Sequence, residues 1–164
     1  GVLDGDGKVL PEVAEAVRKG IVFDVGHGVG SFSFDVARKA LAQGLVPATI
    51  SSDLHYYNVN GPVFDLATTM SKFLLLGRPL EEVVAKTTVV PAGLLGLADR
   101  LGSVREGFLA DLAVFTLAEG TFEFEDSAKE KVLGQQRLEP VAVIRRGRIS
   151  HSHLRLQRPI GRRF

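Results

Sequence analysis

No cysteine occurs among the 164 residues, which excludes disulfides and every thiolate metal or redox site. Long apolar runs are missing as well. Charge or glycine interrupts each stretch well short of the roughly 20 residues that a membrane-spanning helix needs. No charged-then-apolar segment opens the chain, so no export signal is read there. Together with the lack of cysteine, this fits a cytoplasmic protein. Acidic residues are absent from positions 140–164, which instead hold Arg145, Arg146, Arg148, Arg155, Arg158, Arg162 and Arg163. The first 139 residues then carry 13 basic groups against 19 acidic ones, so the net charge of +1 conceals an acidic body with a basic end. No aromatic residues interleave those arginines to stack bases, so residues 151–164 read as a solvated, disordered tail rather than a nucleic-acid surface.

What is present is the balance of a soluble globular protein: 45% hydrophobic and 24% charged residues, in a chain long enough for a real core. Pro11 opens a helical pattern whose apolar stripe, Val13, Ala14, Ala16 and Val17, stops at Gly20. Residues 21–25 read as a short buried strand, Gly26 to Ser31 as a loop, and Ser33 as the cap of a helix through Gln43. A second apolar strand leads through Ile50 to Asp53. A loop over 56–61 follows, then a helix from Pro62 to about Leu76, a shorter one over 80–87 and a last turn near 92–97. Strands alternating with amphipathic helices predict a parallel sheet covered by helices. After Asp99 the period changes, and residues 109–117, 121–125 and 141–144 read as strands of a small antiparallel element. The division predicted is 1–98, 99–150 and the tail.

Several motifs are excluded. Asp4-Gly5-Asp6-Gly7-Lys8 superficially resembles a calcium loop, but Lys8 stands where a third acid belongs. Gly26-x-Gly28-x-Gly30 lacks the Gly-Lys-Ser/Thr ending of a phosphate loop and the spacing of a dinucleotide site. His151-x-His153 lies in the arginine-rich end and is read as a tail feature. Asp53 carries the most chemical promise. A carboxylate at the mouth of a buried strand can hold a cation and take a proton from bound water, or it can simply cap a turn. His27, between two glycines directly after a strand, is read either as a substrate contact or as a packing residue. His55 offers a weaker partner to Asp53. Whether Asp24 points into the sheet's interior side or toward the helices stays open.

Phe23-Asp24-Val25-Gly26-His27-Gly28, Ser51-Ser52-Asp53-Leu54-His55 and Lys72-Phe73-Leu74 together resemble the dihydroorotase-like deacetylases of the amidohydrolase superfamily. Gly102-Ser103-Val104 through Ala110-Asp111-Leu112 to Phe115 is similar to the point where those enzymes enter a small β-sandwich. The resemblance covers residues 8–149. It implies an α/β fold, the last two βα units of a (β/α)₈ TIM barrel followed by a β-sandwich segment. A whole barrel takes roughly 250 residues, so this chain would be the C-terminal fragment of a longer enzyme, inactive alone, with a missing N-terminal barrel segment as its partner. The parent would hydrolyse an amide, cyclic amide or ester substrate through a divalent metal pair, usually zinc. Asp53 would be both metal ligand and proton shuttle, and His27, His55, Asn60 and Gly61 would hold the substrate. An uncovered sheet edge would also leave the isolated chain prone to self-association. The alternative from the residues alone is a non-catalytic binding module whose basic tail contacts polyanions.

Overall fold

The computed structural model describes residues 1–152. Its order is α1 (Pro11–Arg18), β1 (Asp24–Gly26), α2 (Phe34–Ala42), β2 (Thr49–Ser51), α3 (Leu66–Leu75), α4 (Leu80–Thr87), α5 (Val89–Leu94), β3 (Leu112–Glu125), β4 (Lys131–Arg145) and β5 (Arg148–Ser152). The protein is an α/β structure with two sheets. Strands β1 and β2 pair in parallel, Asp24 opposite Thr49 and Gly26 opposite Ser51, with α2 as the crossover. The second sheet is antiparallel in the order β3-β4-β5.

Local chemistry accounts for the helix starts. The Ser33 hydroxyl accepts from the Val36 amide and Asp65 from the Thr68 amide, each satisfying an orphan N–H of a first turn. The Asp65 cap corrects the expected start of α3 at Pro62: Pro62 and Val63 are buried in the approach, and the helix begins four residues later, at Leu66. The strands at 21–25 and 46–53 shorten to three residues each, because only Asp24–Gly26 and Thr49–Ser51 find a ladder partner.

The antiparallel sheet corrects the sequence reading more strongly. Residues 109–117 and 121–125 were expected as two strands, but Leu112–Glu125 is one strand with an irregularity between Glu119 and Phe122. Its partner reaches back to Lys131, well before the expected 141–144. Pro140 interrupts that pattern yet is tolerated where the register shifts opposite Phe115. Gly134 leaves room for the Phe124 ring, which would stand 2.9 Å from a Cβ there. The tail also begins later than expected, since β5 includes His151 and Ser152, and His151 pairs with Val143. His153 and the last four arginines lie outside the described residues.

One core joins the two sheets. Phe32, Phe34, Ile50, Ala67, Met70, Phe73, Val83, Phe124 and Leu138 are buried together. Helix α3 lies between the sheets, and its Ser71 hydroxyl accepts from the Leu138 amide of β4 at 2.9 Å. Asp99, the expected boundary, falls in the turns between α5 and β3. No helix among the described residues is long and apolar enough to cross a membrane.

Candidate active site

Val25 and Ile50 face the helices and the core, so alternation along the strands sends Asp24, Gly26, Thr49 and Ser51 to the opposite face. The open question about Asp24 is thereby answered: its carboxylate accepts from the Thr49 hydroxyl at 2.6 Å and the Ser51 hydroxyl at 2.5 Å. Two residues past Ser51, Asp53 is exposed and takes a left-handed backbone with φ 48°. Aspartate tolerates that region better than most residues. Among the described residues, its carboxylate oxygens accept no hydrogen bond.

The surroundings of Asp53 are built from two loops. On one side, the His27 and Gly28 amides donate to the carbonyls of Ser51 and Ser52, continuing the parallel ladder beyond the strands. Gly28 has φ 55°, and a Cβ on it would lie 2.8 Å from the Asp53 Oδ2. Only glycine satisfies both the backbone and the space there. On the other side, fully buried Asn58 donates from Nδ2 to the Asp53 carbonyl at 2.8 Å, and its Oδ1 accepts from the His55 amide at 2.7 Å.

Beneath both loops lies Lys72, the only charged residue of α3 and fully buried. Its ammonium has three donors and three acceptors: the His27 Nε2 at 2.7 Å, the Pro62 carbonyl at 2.8 Å and the Glu125 carbonyl at 2.7 Å. Burial pulls its pKa down to about 8, against the upward pull of Asp126 and Glu125. His27 is fully buried too, stacked on Phe32 with centroids 4.8 Å apart. Its Nδ1 lies 2.9 Å from the Gly28 carbonyl, which assigns the ring proton to Nδ1 and leaves Nε2 to accept from Lys72. Burial holds the imidazole below its ordinary pKa, so neutral. Asp126, buried in the β3–β4 turn, accepts from the amides of Phe34, Ala128 and Glu130 and so caps α2 from the other sheet.

The structure therefore separates the residues expected to form the site. Asp53, His55 and Asn60 are exposed on the same loop end, and Gly61 is partly buried with φ 126°. The His55 Nδ1 accepts from the Tyr57 amide at 3.2 Å. Tyr56 and Tyr57 stand 86% and 81% exposed beside it. His27 is not on that surface: burial and the engagement of both ring nitrogens make it a support for the loop. Sequence reasoning assigned no role to Asn58, Lys72 or Asp126. A lone charge inside the otherwise uncharged helix Leu66–Leu75 was the available signal for Lys72. Among the described residues, no group of three or more His, Cys, Asp or Glu side chains is placed to hold a metal ion.

Residues 75–151 match the model of the amidohydrolase family. A deacetylase of Enterococcus faecalis is 38% identical over 151 residues, which is 91% of this chain and 41% of that protein. A deacetylase of Agrobacterium fabrum is 48% identical over 109 residues, 66% of this chain and 26% of its own length. The crystal structure of an adenine deaminase superposes with a TM-score of 0.86 at 38% identity, covering 91% of this chain and 41% of that one. That of a dihydroorotase gives 0.73 at 36% identity, with 86% and 38% covered. The chain thus spans well under half the length of these relatives.

Proposed function

The chain belongs to the amidohydrolase family, and from that premise we propose that it supplies the Asp53 end of a hydrolase that cleaves carbon–nitrogen bonds, amides or cyclic amides foremost and esters as a variant. The observation that carries this reading is Asp53 itself: a carboxylate without a hydrogen-bond partner among the described residues, at the C-terminal end of a parallel strand, held from two sides by Gly28 and Asn58. The C-terminal ends of parallel strands are where barrel enzymes assemble their chemistry. In our reading residues 1–98 are the last two βα units of a barrel, 99–150 a β-sandwich segment, and the protein works in the cytoplasm. Among the described residues β1 and β2 have no other strand beside them, and the apolar stripe of α1 is only partly covered, with Val17 exposed. Further barrel strands would cover both.

A divalent cation, zinc by the resemblance and paired in the whole enzyme, would acidify a bound water at this site. Asp53 fits one place in such a donor set: it is exposed, anionic and free of internal partners. One carboxylate is not a site, since catalytic metals take about three protein ligands, so the other ligands would come from outside this sequence and the chain alone would not turn over substrate. Asp53 accepts the proton of the attacking water and returns it to the leaving nitrogen, as a general base and then a general acid. His55, Asn60 and Gly61 line the same rim and contact the substrate. His27, expected among those contacts, instead holds the loop that carries Gly28. The activities for which the relatives are named, deacetylase, adenine deaminase and dihydroorotase, share hydrolysis at a planar carbon bonded to nitrogen. They support this reading over a polyanion-binding module.

The test is a hybrid in which this chain replaces the matching segment of the Enterococcus faecalis deacetylase. We expect the hybrid to release acetate from N-acetyl substrates in a chelator-sensitive way, and the chain alone to release none. A folded, metal-loaded hybrid without hydrolysis would refute the proposal, as would turnover by the chain alone.

A further inference from the structure

We propose that Lys72 is the positioning residue for Asp53, a buried three-way tie that fixes both loops flanking the carboxylate and fastens them to the turn between β3 and β4. The inference rests on Asp53 being the working carboxylate. Lys72 touches no exposed surface, and each of its three hydrogen bonds goes to a different segment. The bond to the His27 Nε2 fixes the loop that carries Gly28, which abuts the Asp53 Oδ2. The bond to the Pro62 carbonyl fixes the far end of the loop that contains Asn58, which holds the Asp53 carbonyl. The bond to the Glu125 carbonyl joins both to the antiparallel sheet, whose Asp126 caps α2 one residue further on.

The geometry suits an ammonium and no other side chain. Three donors at tetrahedral angles meet three acceptors, and buried side-chain nitrogen or oxygen atoms without partners are absent among the described residues. A guanidinium is planar and larger, so Lys72→Arg does not reproduce the arrangement. Removing the ammonium orphans the His27 Nε2 and two carbonyls at once. Lys72 meets no substrate in this reading. It acts through the two loops, so its loss lowers turnover chiefly by misplacing Asp53, with a smaller effect on binding because His55, Asn60 and Gly61 share one of those loops.

The test starts with the unsubstituted chain. Nitrogen-15 spectra of its imidazoles should show His27 with the proton on Nδ1 and a hydrogen-bonded acceptor at Nε2; the opposite tautomer refutes the tie without any variant. Next, Lys72→Cys provides the chain's sole thiol, because the sequence has no cysteine. Alkylation in denaturant with 2-bromoethylamine restores an ammonium of lysine length, and alkylation with 1-bromopropane gives the same shape without donors. In the refolded propyl adduct, the Gly28 and Asn58 amides should exchange roughly tenfold faster or more, and the Asp53 carboxyl carbon should shift. The Ala37 and Val83 amides should hold, and the aminoethyl adduct should restore native values. Equal loosening of all four amides, or no selective change, overturns the proposal. If the propyl adduct fails to refold, the aminoethyl adduct and the imidazole spectra decide alone. In the hybrid, Lys72→Met should lower kcat about tenfold or more, with any rise in KM smaller than the fall in kcat; a rise in KM at constant kcat contradicts positioning. An Asp53→Asn hybrid with full turnover would sink the proposed function and leave the tie standing, whereas unaltered loops beside an inactive Asp53→Asn would sink only the tie.

Discussion

Gly28→Ala tests how closely the structure places the Asp53 carboxylate. The added methyl would sit 2.8 Å from Oδ2, and ordinary contact begins near 3.4 Å, so the carboxylate must retreat by roughly 0.6 Å. The left-handed backbone at φ 55° adds a conformational cost of about 1–2 kcal/mol for a side-chain-bearing residue. In a chain of this size that lowers the melting temperature by roughly 2–8 °C. A misplacement of about 1 Å at a reacting group costs on the order of 10²-fold in rate, so a shift of this size should cost roughly tenfold. Turnover is measured in the deacetylase hybrid by steady-state acetate release, and stability by a thermal melt of the chain itself. Gly30→Ala is the control, since nothing lies within 4 Å of its Cβ position and its backbone is not left-handed; it should change neither. The reasoning fails if Gly28→Ala melts early and still turns over at the native rate, because the carboxylate would then not be used where the structure puts it.

The remaining predictions concern the buried network. Burial lowers the pKa of Lys72 from the ordinary 10.5 of an exposed lysine to about 8 on folding, so between those values the unfolded chain holds the extra proton. Its contribution to stability therefore rises as pH climbs from about 8 toward 10.5, by up to about 3 kcal/mol, and is least favourable below pH 8. Urea titrations of the native chain and Lys72→Met should diverge in that window; a constant difference would show that Lys72 titrates normally. Asp126→Ala strands the amides of Phe34, Ala128 and Glu130 and should cost about 3 kcal/mol. Lys131→Ala removes an exposed pair with Glu123 and should leave the urea midpoint nearly unchanged. Similar urea midpoints for the two variants would mean that Asp126 does not clasp the sheets together.

Local signals were readable in the chain. Ser33 announced α2, and an apolar run ending in Asp53 marked the second strand and its mouth. The extent of β4 was not readable, because Lys131 to Pro140 mixes charges, glutamines, a glycine and a proline in no two-residue period. That segment is a strand because Phe124 packs over Gly134 and because Leu138 is buried against α3, contacts that belong to the folded chain. The site divided along the same line. Asp53 sits at a strand end, which periodicity finds, whereas the bond between Lys72 and His27 spans 45 residues, and no local pattern encodes it. His27 looked accessible because two glycines flank it. Those glycines make room for Asp53 and for the turn, and the imidazole goes inward to its lysine.

Turnover of the hybrid carrying Asp53→Asn tests the central claim most directly. The substitution keeps the shape and one ligand oxygen but removes the charge and the basic site. Should Asp53 carry the proton between water and leaving nitrogen, kcat falls by about 10²-fold or more, while the hybrid's metal content, measured alongside, falls less. Near-normal kcat in a folded, metal-loaded Asp53→Asn hybrid would contradict the account.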